Sequence, residues 1–318
     1  MRKSIVTSLK LLFGLLLLGL LINAIGLGEF VAAMRSVFIP LFIVSFLMEP
    51  FVQFFGGLIY KVMLIPLNYH ISLLYSIRSA SVAYAMGFLS PGRISELAIV
   101  IPFREKGIPI GIGLALAILD KIAAFIFLAI IGSIGIFYFM GFREFIIVLI
   151  VAFLLLIGSY KLFTSEKIES FVKKKLFKNK EQHFKGFSTT MRKFFHEFKG
   201  YLILVIFLKS LKWSMSYISI YFIFLSMGYN LNIYAISLIF SAVVLISTVP
   251  ITFSGIGVKE GAGAVMYSTF LGVPPAIASN AMLLSTAKNF SLGIVYYFLS
   301  SSLVIKDKYK KNVLRKKK

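Results

Sequence analysis

Long apolar runs with almost no charge dominate this chain and limit what it can fold into. A helix needs about 20 apolar residues to cross the hydrocarbon core of a bilayer. Hydrophobic residues make up 59% of the chain and charged residues 14%, whereas about a quarter of an ordinary soluble domain is charged. This composition excludes a soluble domain, a disordered chain and a disulfide scaffold, and it predicts an all-α polytopic membrane protein. About eight crossings are predicted: Leu9–Leu27, Val37–Ile59, Ile71–Leu89, Ile122–Met140, Phe145–Phe163, Leu202–Met227, Ile233–Val249 and Ile277–Ile305.

Two further apolar stretches, Gly87–Pro102 and Pro250–Leu271, are interrupted by proline, glycine, serine and a carboxylate. Irregular backbone at membrane depth is tolerated only where protein or a water-filled cavity surrounds it. We therefore expect both stretches to form broken or re-entrant helical segments rather than complete crossings.

The positive charges are concentrated in three places, which predicts how the chain is oriented. Of 34 Lys and Arg residues, three lie in the first ten positions, eleven in 161–199 and eight in 306–318. Basic residues next to apolar runs stay in the cytoplasm, so both termini, the basic loop 164–200 and the tail 306–318 are predicted to be cytoplasmic. The same clusters suit the anionic lipids of a cell membrane. The net charge of +22 therefore does not indicate a nucleic-acid partner.

The second half of the central loop carries phenylalanines at helical spacing over 184–198, with basic residues between them. Such an amphipathic helix is suited to lie in the cytoplasmic interface of the membrane. The same pattern is typical of a helix that binds a partner protein, so both interpretations are open at this point.

Two motifs some 165 residues apart indicate an internal duplication within a single domain, 1–318. Ser90-Pro-Gly-Arg-Ile-Ser-Glu96 is followed by Gly107-Ile-Pro109, and Ser254-Gly-Ile-Gly-Val-Lys-Glu260 is followed by Gly272-Val-Pro274. The repeat-like halves cover about 37–163 and 201–305. The flanking basic segments place the first Gly-Ile-Pro inside and the second Gly-Val-Pro outside, so the copies are predicted to be inverted. Inverted repeats with broken helices are typical of transporters.

Several charged residues lie deep in these segments, where a charge needs a partner or a polar cavity. A charge at the bilayer centre costs at least about 2.5 kcal/mol on insertion scales. Arginine suits a phosphate through its bidentate fork and lysine adds a point charge, so a site for an anionic group is one interpretation. Internal salt bridges between helices are the other. The candidate substrate-binding residues are Arg93, Glu96, Asp120, Lys121, Lys259, Glu260 and Lys288.

The residue patterns that support catalysis or cofactor binding are missing. The chain has no cysteine, its three histidines do not cluster, and no Gly-x-x-x-x-Gly-Lys-Ser/Thr or Gly-x-Ser-x-Gly run is present. Carboxylates without a nucleophile or a metal are weak support for an enzyme. We therefore predict no enzymatic activity, no cofactor and no metal site.

The two motifs, together with Leu119-Asp-Lys121, resemble those of the lysylphosphatidylglycerol synthetase transmembrane-region family, also called flippase-like. The resemblance extends from the first helix to about residue 303 and is most specific at Gly255-Ile-Gly-Val-Lys-Glu260. In that family, this region is associated with moving aminoacylated phospholipid between leaflets. Some relatives lie beside, or are fused to, glycosyltransferases that act on polyprenyl-phosphate carriers. The resemblance implies motif roles for Arg93, Glu96, Asp120, Lys121 and Glu260.

Two features differ from the family's pattern. The cytosolic aminoacyl-transfer domain has no counterpart in these 318 residues, so lipid lysylation is not implied. The first motif reads Pro91-Gly-Arg93, with its glycine before the arginine rather than directly before the glutamate.

We therefore expect a flippase-like transporter of an anionic lipid, either a phospholipid or a lipid linked to polyprenyl phosphate. Its phosphate would be held in a charged cavity at the membrane midplane. Two other functions are open: an ion-coupled carrier of a small anionic solute, and a non-transporting membrane accessory that recruits a glycosyltransferase. A lipid-modifying enzyme fits the residues less well.

Overall fold

The computed structural model describes residues 2–87, 94–164, 186–248, 252 and 255–315, and regular structure in these ranges is entirely helical. This agrees with the all-α prediction. Two 3₁₀ segments are present in the described ranges, Ile65–Leu67 and Ile94–Ile99. The α-helices are α1 (Arg2–Ile25), α2 (Leu27–Arg35), α3 (Ile39–Leu47), α4 (Glu49–Leu64), α5 (Leu73–Gly87), α6 (Val100–Glu105), α7 (Ile110–Met140), α8 (Phe142–Thr164), α9 (Phe187–His196), α10 (Lys199–Ser226), α11 (Ile233–Thr248), α12 (Val258–Leu271) and α13 (Pro275–Arg315).

Within the described residues, three helical stretches are long and apolar enough to cross a membrane: Ile39–Leu67, Ile110–Met140 and Lys199–Ser226. A fourth qualifies if the bent pair Leu15–Ile25 and Leu27–Arg35, whose axes differ by 94°, is counted as one span. These assignments rest on length and composition. The count of about eight crossings and the cytoplasmic location of both termini therefore stay predictions.

Helix α7 is longer than the sequence analysis predicts. The crossing expected at Ile122–Met140 begins at Ile110, directly after Pro109, which has no N–H to donate to a helix. Asp120 and Lys121 therefore lie inside this helix rather than ahead of it. Charge alone would place a helix boundary there, but both side chains find polar partners in the folded chain.

The crossing expected at Val37–Ile59 is divided in two at Met48. Pro50 occupies the first turn of α4, where its missing N–H leaves no hydrogen bond unmade. In an unbroken helix, the ring of this proline would clash with the carbonyl four residues earlier.

Large apolar side chains cover the outside of the helix bundle as well as its interior. Phe153 and Leu154 on α8 are 63% and 61% exposed, and Phe298 on α13 is 70% exposed. Soluble proteins rarely expose extended apolar patches to water, whereas lipid tails accommodate them. The exposed faces therefore agree with a membrane protein.

The buried apolar residues form two separate cores. The first joins α4 to α7 with α9 and the start of α10, around Ile59, Phe103 and Leu116. The second joins the rest of α10 with α11, α12 and α13, around Phe224 and Tyr267. Each core is thus built mainly from one half of the chain.

Two pairs of turns share their backbone geometry at a nearly constant spacing. Asn68 and Gly228 are 160 positions apart, follow α4 and α10, and have positive φ values of 60° and 85°. The next residue donates its N–H to the carbonyl five positions earlier, at 3.2 Å in the first turn and 3.0 Å in the second. Gly107 and Gly272, 165 positions apart, have φ values of 80° and 65° just before α7 and α13. Helices α4–α7 and α10–α13 therefore follow the same order with the same turns.

The packing between these two units is reciprocal. Helix α4 packs on α10, while α5 packs on α13 and its counterpart α11 packs on α7. A pseudo-two-fold relation produces this pattern, because each contact then recurs with the two partners exchanged. The inverted orientation of the units across the membrane stays a prediction.

The amphipathic part of the central loop forms α9, and its apolar side is covered by the protein itself. Met191 and Phe194 are completely buried in the first core, where α9 packs on α7, α8 and α10. A helix lying in the membrane interface would present these side chains to lipid instead. Residues 165–185 of the loop lie outside the described part of the chain.

Candidate functional site

Glu96 and Lys121 form an ion pair between the 3₁₀ segment Ile94–Ile99 and α7. Glu96 lies against the end of α5, where a Cβ on Gly87 would be 2.6 Å from the Cγ of Glu96. The glycine therefore lets the segment pack closely on α5. The Lys121 side chain is 44% exposed and that of Glu96 is 16% exposed. Arg93, which is predicted beside Glu96, lies outside the described residues.

Asp120 pairs with a residue that the sequence analysis leaves out of the site. Its Oδ1 lies 2.5 Å from the Nζ of Lys209 on α10, whose side chain is 3% exposed. Successive residues of an α-helix point about 100° apart. Asp120 therefore points into the bundle, whereas Lys121 points toward Glu96, and the adjacent acidic and basic residues have separate partners.

Glu260 is completely buried, and both of its carboxylate oxygens accept hydrogen bonds. Oε2 accepts from the backbone N–H of Gly257 at 2.7 Å, which caps the start of α12. Oε1 accepts from the hydroxyl of Thr286 on α13 at 2.9 Å. A buried carboxylate without such bonds would be strongly disfavoured. Glu260 thus connects the start of α12 to the following long helix, α13.

Lys259 reaches the same stretch of α13. Its Nζ donates to the hydroxyl of Ser285 at 3.0 Å and to that of Thr286 at 3.3 Å. The ammonium also lies 5.6 Å from the centre of the Phe240 ring, within cation–π distance. Thr286 therefore contacts both neighbours, accepting from Lys259 and donating to Glu260.

Lys288 contacts residues of α10, α4 and the end of α3. Its Nζ donates to the hydroxyl of Ser219 at 2.6 Å and to the carbonyl of Ser45 at 3.4 Å. The same Nζ lies 3.9 Å from Oε2 of Glu49. The side chains of Lys288 and Glu49 are 3% and 6% exposed, so the pair is buried inside the bundle.

Glu49 and Lys209 belong to these polar groups, although sequence reasoning does not place them in the site. Gln53 extends the group around Glu49 by donating from Nε2 to its Oε1 at 2.9 Å. Glu49 and Lys209 are 160 positions apart, which is also the spacing of the turns after α4 and α10. Glu49 is paired with Lys288 on α13, and Lys209 is paired with Asp120 on α7. Each partner therefore lies on the last helix of the other unit. That spacing is the sequence signal that could have found them.

In both copies of the motif, the side chain of the glutamate contacts a residue at a corresponding position of the following long helix. In the first copy, Lys121 on α7 contacts Glu96, 25 positions earlier. In the second, Thr286 on α13 contacts Glu260, 26 positions earlier. Lys121 and Thr286 are themselves 165 positions apart. The corresponding contact thus joins the 3₁₀ segment Ile94–Ile99 to α7 through a cation and α12 to α13 through a hydroxyl.

Most of these charged side chains are buried inside the helix bundle. Lys209 and Lys288 are 2% and 3% exposed, and Glu260 is not exposed. Lys121 is instead substantially accessible. The charged cavity at the membrane midplane stays a prediction. Because the Lys121 side chain is accessible, a substitution at this residue can test that prediction.

A family model covers the residues of all these groups. The family model described as the lysylphosphatidylglycerol synthase TM region matches residues 7–295, which include both broken segments. A UPF0104 membrane protein of Methanothermobacter thermautotrophicus is 27% identical over 203 residues, which are 56% of this chain and 60% of that protein. This chain therefore spans about 60% of the length of that relative. The family match extends over most of the chain, and the chain belongs to the family of lysylphosphatidylglycerol synthase transmembrane regions.

Proposed function

We propose that this chain moves an anionic lipid between the two leaflets of a cell membrane and that Lys121 contacts the lipid phosphate. The observation that supports this proposal is an accessible lysine within a very apolar helix. Helix α7 is the most apolar of the three candidate spans: the mean hydropathy of its most apolar 18 residues is 2.5, compared with 1.7 for Ile39–Leu67 and 1.4 for Lys199–Ser226. Transport, rather than a covalent reaction, is the activity that we propose.

Lys121 lies well inside α7 rather than at its end. It is the twelfth of the 31 residues of this helix, roughly 17 Å from the helix start at 1.5 Å per residue. A charge at such a depth pairs with another charge or faces a polar cavity or pathway. Glu96 supplies the pairing, and the accessible part of the ammonium can contact a phosphate.

A lipid phosphate at Lys121 would compete with Glu96 for the ammonium. Arg93 precedes Glu96 by three positions and would add a guanidinium suited to bidentate contact with phosphate. Lys259 and Lys288 would supply further cations along the path. Asp120 and Glu260 would organise the helices through the contacts described above.

The accessory role is not part of this proposal. A helix that recruits a glycosyltransferase needs an apolar face that a partner can reach, whereas Met191 and Phe194 of α9 are completely buried. A carrier of a small anionic solute would use the same charges, and the experiment must therefore include such a solute.

Translocation in proteoliposomes tests the proposal with two probes, a fluorescent phosphatidylglycerol and a fluorescent short polyprenyl phosphate. We expect protein-dependent movement of at least one probe. We expect about a tenfold lower rate for Lys121→Gln and for Arg93→Ala, which corresponds to the loss of one favourable contact with the phosphate.

Lys106→Gln is the matched control for Lys121→Gln. Lys106 is exposed just before α7, and its Nζ lies 4.6 Å from the centre of the Tyr75 ring. This variant should move lipid at the wild-type rate. A wild-type rate in Lys121→Gln would contradict the role of that lysine. Uptake of inorganic phosphate without movement of either lipid would overturn the lipid proposal and favour a small-anion carrier.

A further inference from the structure

Glu49 and Lys288 form a buried ion pair whose charged atoms are not in direct contact. The Nζ of Lys288 lies 3.9 Å from Oε2 of Glu49, beyond hydrogen-bond distance. The ammonium instead donates to Ser219 and to the carbonyl of Ser45, at 2.6 and 3.4 Å. The other carboxylate oxygen of Glu49, Oε1, accepts a hydrogen bond from Nε2 of Gln53 at 2.9 Å. Neutral oxygens therefore hold the ammonium in place whether or not Glu49 is charged.

The second buried pair has the opposite character. Asp120 and Lys209 are in direct contact, with 2.5 Å between Oδ1 and Nζ. The buried ammonium of Lys209 would lose this contact if the Asp120 carboxylate were neutral. The Glu49–Lys288 pair is thus the one of the two whose ammonium keeps its hydrogen bonds when the carboxylate is neutral.

Both pairs connect the two repeated units. Glu49 is on α4 of the first unit and Lys288 on α13 of the second. Lys209, 160 positions after Glu49, takes the corresponding place on α10 and contacts α7. In transporters built from repeats, one unit moves against the other around the substrate site. A change of charge at Glu49 therefore acts at a contact between the moving units.

We propose that Glu49 binds a coupling proton and that this proton and the anionic lipid bind together. This inference rests on the proposed function. A proton from the aqueous phase adds to Oε2 of Glu49 and converts the carboxylate to a carboxylic acid, and no other covalent bond changes. The positive charge of Lys288 is then no longer balanced, which favours an anionic headgroup nearby. Proton and lipid affinities are therefore linked, and each ligand strengthens the binding of the other.

Other titratable groups lie around this pair on the helices packed against it. Tyr296, two turns after Lys288, interacts electrostatically with Glu49, and its ring contacts that of Tyr84 on α5. Lys212 on α10 lies beside Gly56, two turns along α4 from Glu49. The remaining charged side chains of α2, α5 and α12, which pack on α13, are Glu29, Arg35, Arg78, Lys259 and Glu260. The test must therefore separate Glu49 from the other buried carboxylates.

Infrared difference spectroscopy of the full chain in detergent tests proton binding without any transport. Exchange between mildly alkaline and mildly acidic buffer should produce the band of a protonated carboxyl group in the wild type. Glu49→Gln should lose this band, whereas the matched control Glu29→Gln, which alters an exposed carboxylate, should keep it. A band that persists in Glu49→Gln, or that disappears in Glu260→Gln, overturns the inference. If Glu49→Gln does not fold, Lys288→Met provides the test instead. Without the ammonium of Lys288, Glu49 should stay protonated in both buffers. The band should therefore be absent from the difference spectrum of this variant.

Transport in proteoliposomes completes the test. An imposed pH gradient should accelerate movement of the fluorescent phosphatidylglycerol by the wild type, whereas Glu49→Gln should show no acceleration over its own rate without a gradient. A wild-type response to the gradient in Glu49→Gln overturns the inference and leaves the lipid proposal standing. A Glu49-dependent infrared band without movement of any lipid has the opposite meaning, since the proton site then stands and the proposed function fails.

Discussion

Glu260 shows at the scale of one residue how a carboxylate is accommodated among apolar helices. Its two oxygens accept from the N–H of Gly257 and from the hydroxyl of Thr286, so both bonds come from neutral donors. The Gly257 N–H is one of the groups that the start of a helix leaves without a partner in the helix itself. The carboxylate therefore satisfies the end of α12 and holds it against α13.

Glu260→Ala should lower the free energy of unfolding by about 2 kcal/mol, because a helix cap is lost and two donors lose their acceptor. Glu260→Gln should unfold like the wild type, since its amide oxygen can accept from Gly257 and its NH₂ can donate to Thr286. Thermal unfolding in detergent measures both variants. Equal melting temperatures for Glu260→Ala and the wild type would contradict the capping role.

At the scale of the helices, close packing of α4 on α5 depends on Gly57. A Cβ at this position would lie 2.5 Å from the Cα of Ile77 and 2.6 Å from its backbone N. The backbone of α5 thus occupies the space that any other residue needs for its side chain. The hydroxyl of Ser76 also donates to the carbonyl of Gly57 at 2.7 Å. Small residues allow this kind of close approach between helices in membranes.

Gly57→Ala should lower the free energy of unfolding by about 1–3 kcal/mol, because the backbone of α5 must move away from the new methyl group. Gly158→Ala on α8 is the matched control, since a Cβ there meets nothing within 4 Å. Alanine favours a helix over glycine, so this control should be as stable as the wild type or slightly more stable. A melting temperature for Gly57→Ala at or above that of the control would refute the packing argument.

At the scale of the whole molecule, two buried ion pairs join the repeated units, and the first unit supplies the acid in both. The second unit supplies the lysine in both, from α10 for Asp120 and from α13 for Glu49. Breaking one buried pair strands a charge in a poorly solvated place. The pairs therefore favour one arrangement of the two units over others.

Asp120→Asn and Lys209→Met should each lower the free energy of unfolding by about 3–5 kcal/mol, because each strands a buried charge. The double variant should lose less than the sum, since neither charge remains. Chemical unfolding of the four proteins in detergent measures this difference. Additive losses would show that the pair does not couple the two units energetically.

Much of the fold could be read from the residues because solvation acts locally along the chain. Apolar runs predicted most of the helices, and glycines predicted the turn at Gly255 and Gly257 just before α12. Residues 88–93, 250–251 and 253–254 of the two predicted breaks lie outside the described residues, so the re-entrant form of both segments stays a prediction. The predicted crossing at Ile122–Met140 omits the first twelve residues of α7, because Asp120 and Lys121 have charges that suggest a helix boundary and partners that only the fold reveals. Arg93, although central to the predicted site, lies outside the described residues, and its role stays a prediction.

The residue sequence was sufficient to establish helices in a membrane, because the cost of placing apolar side chains in water or free backbone in lipid depends on composition. The spacing of motifs was also sufficient to indicate two related units. The partner of each charge required the folded chain. Asp120 meets Lys209 and Lys288 meets Glu49 across 89 and 239 positions, and neighbouring residues on one helix point in different directions. These pairings depend on how the helices pack, and no local pattern encodes them.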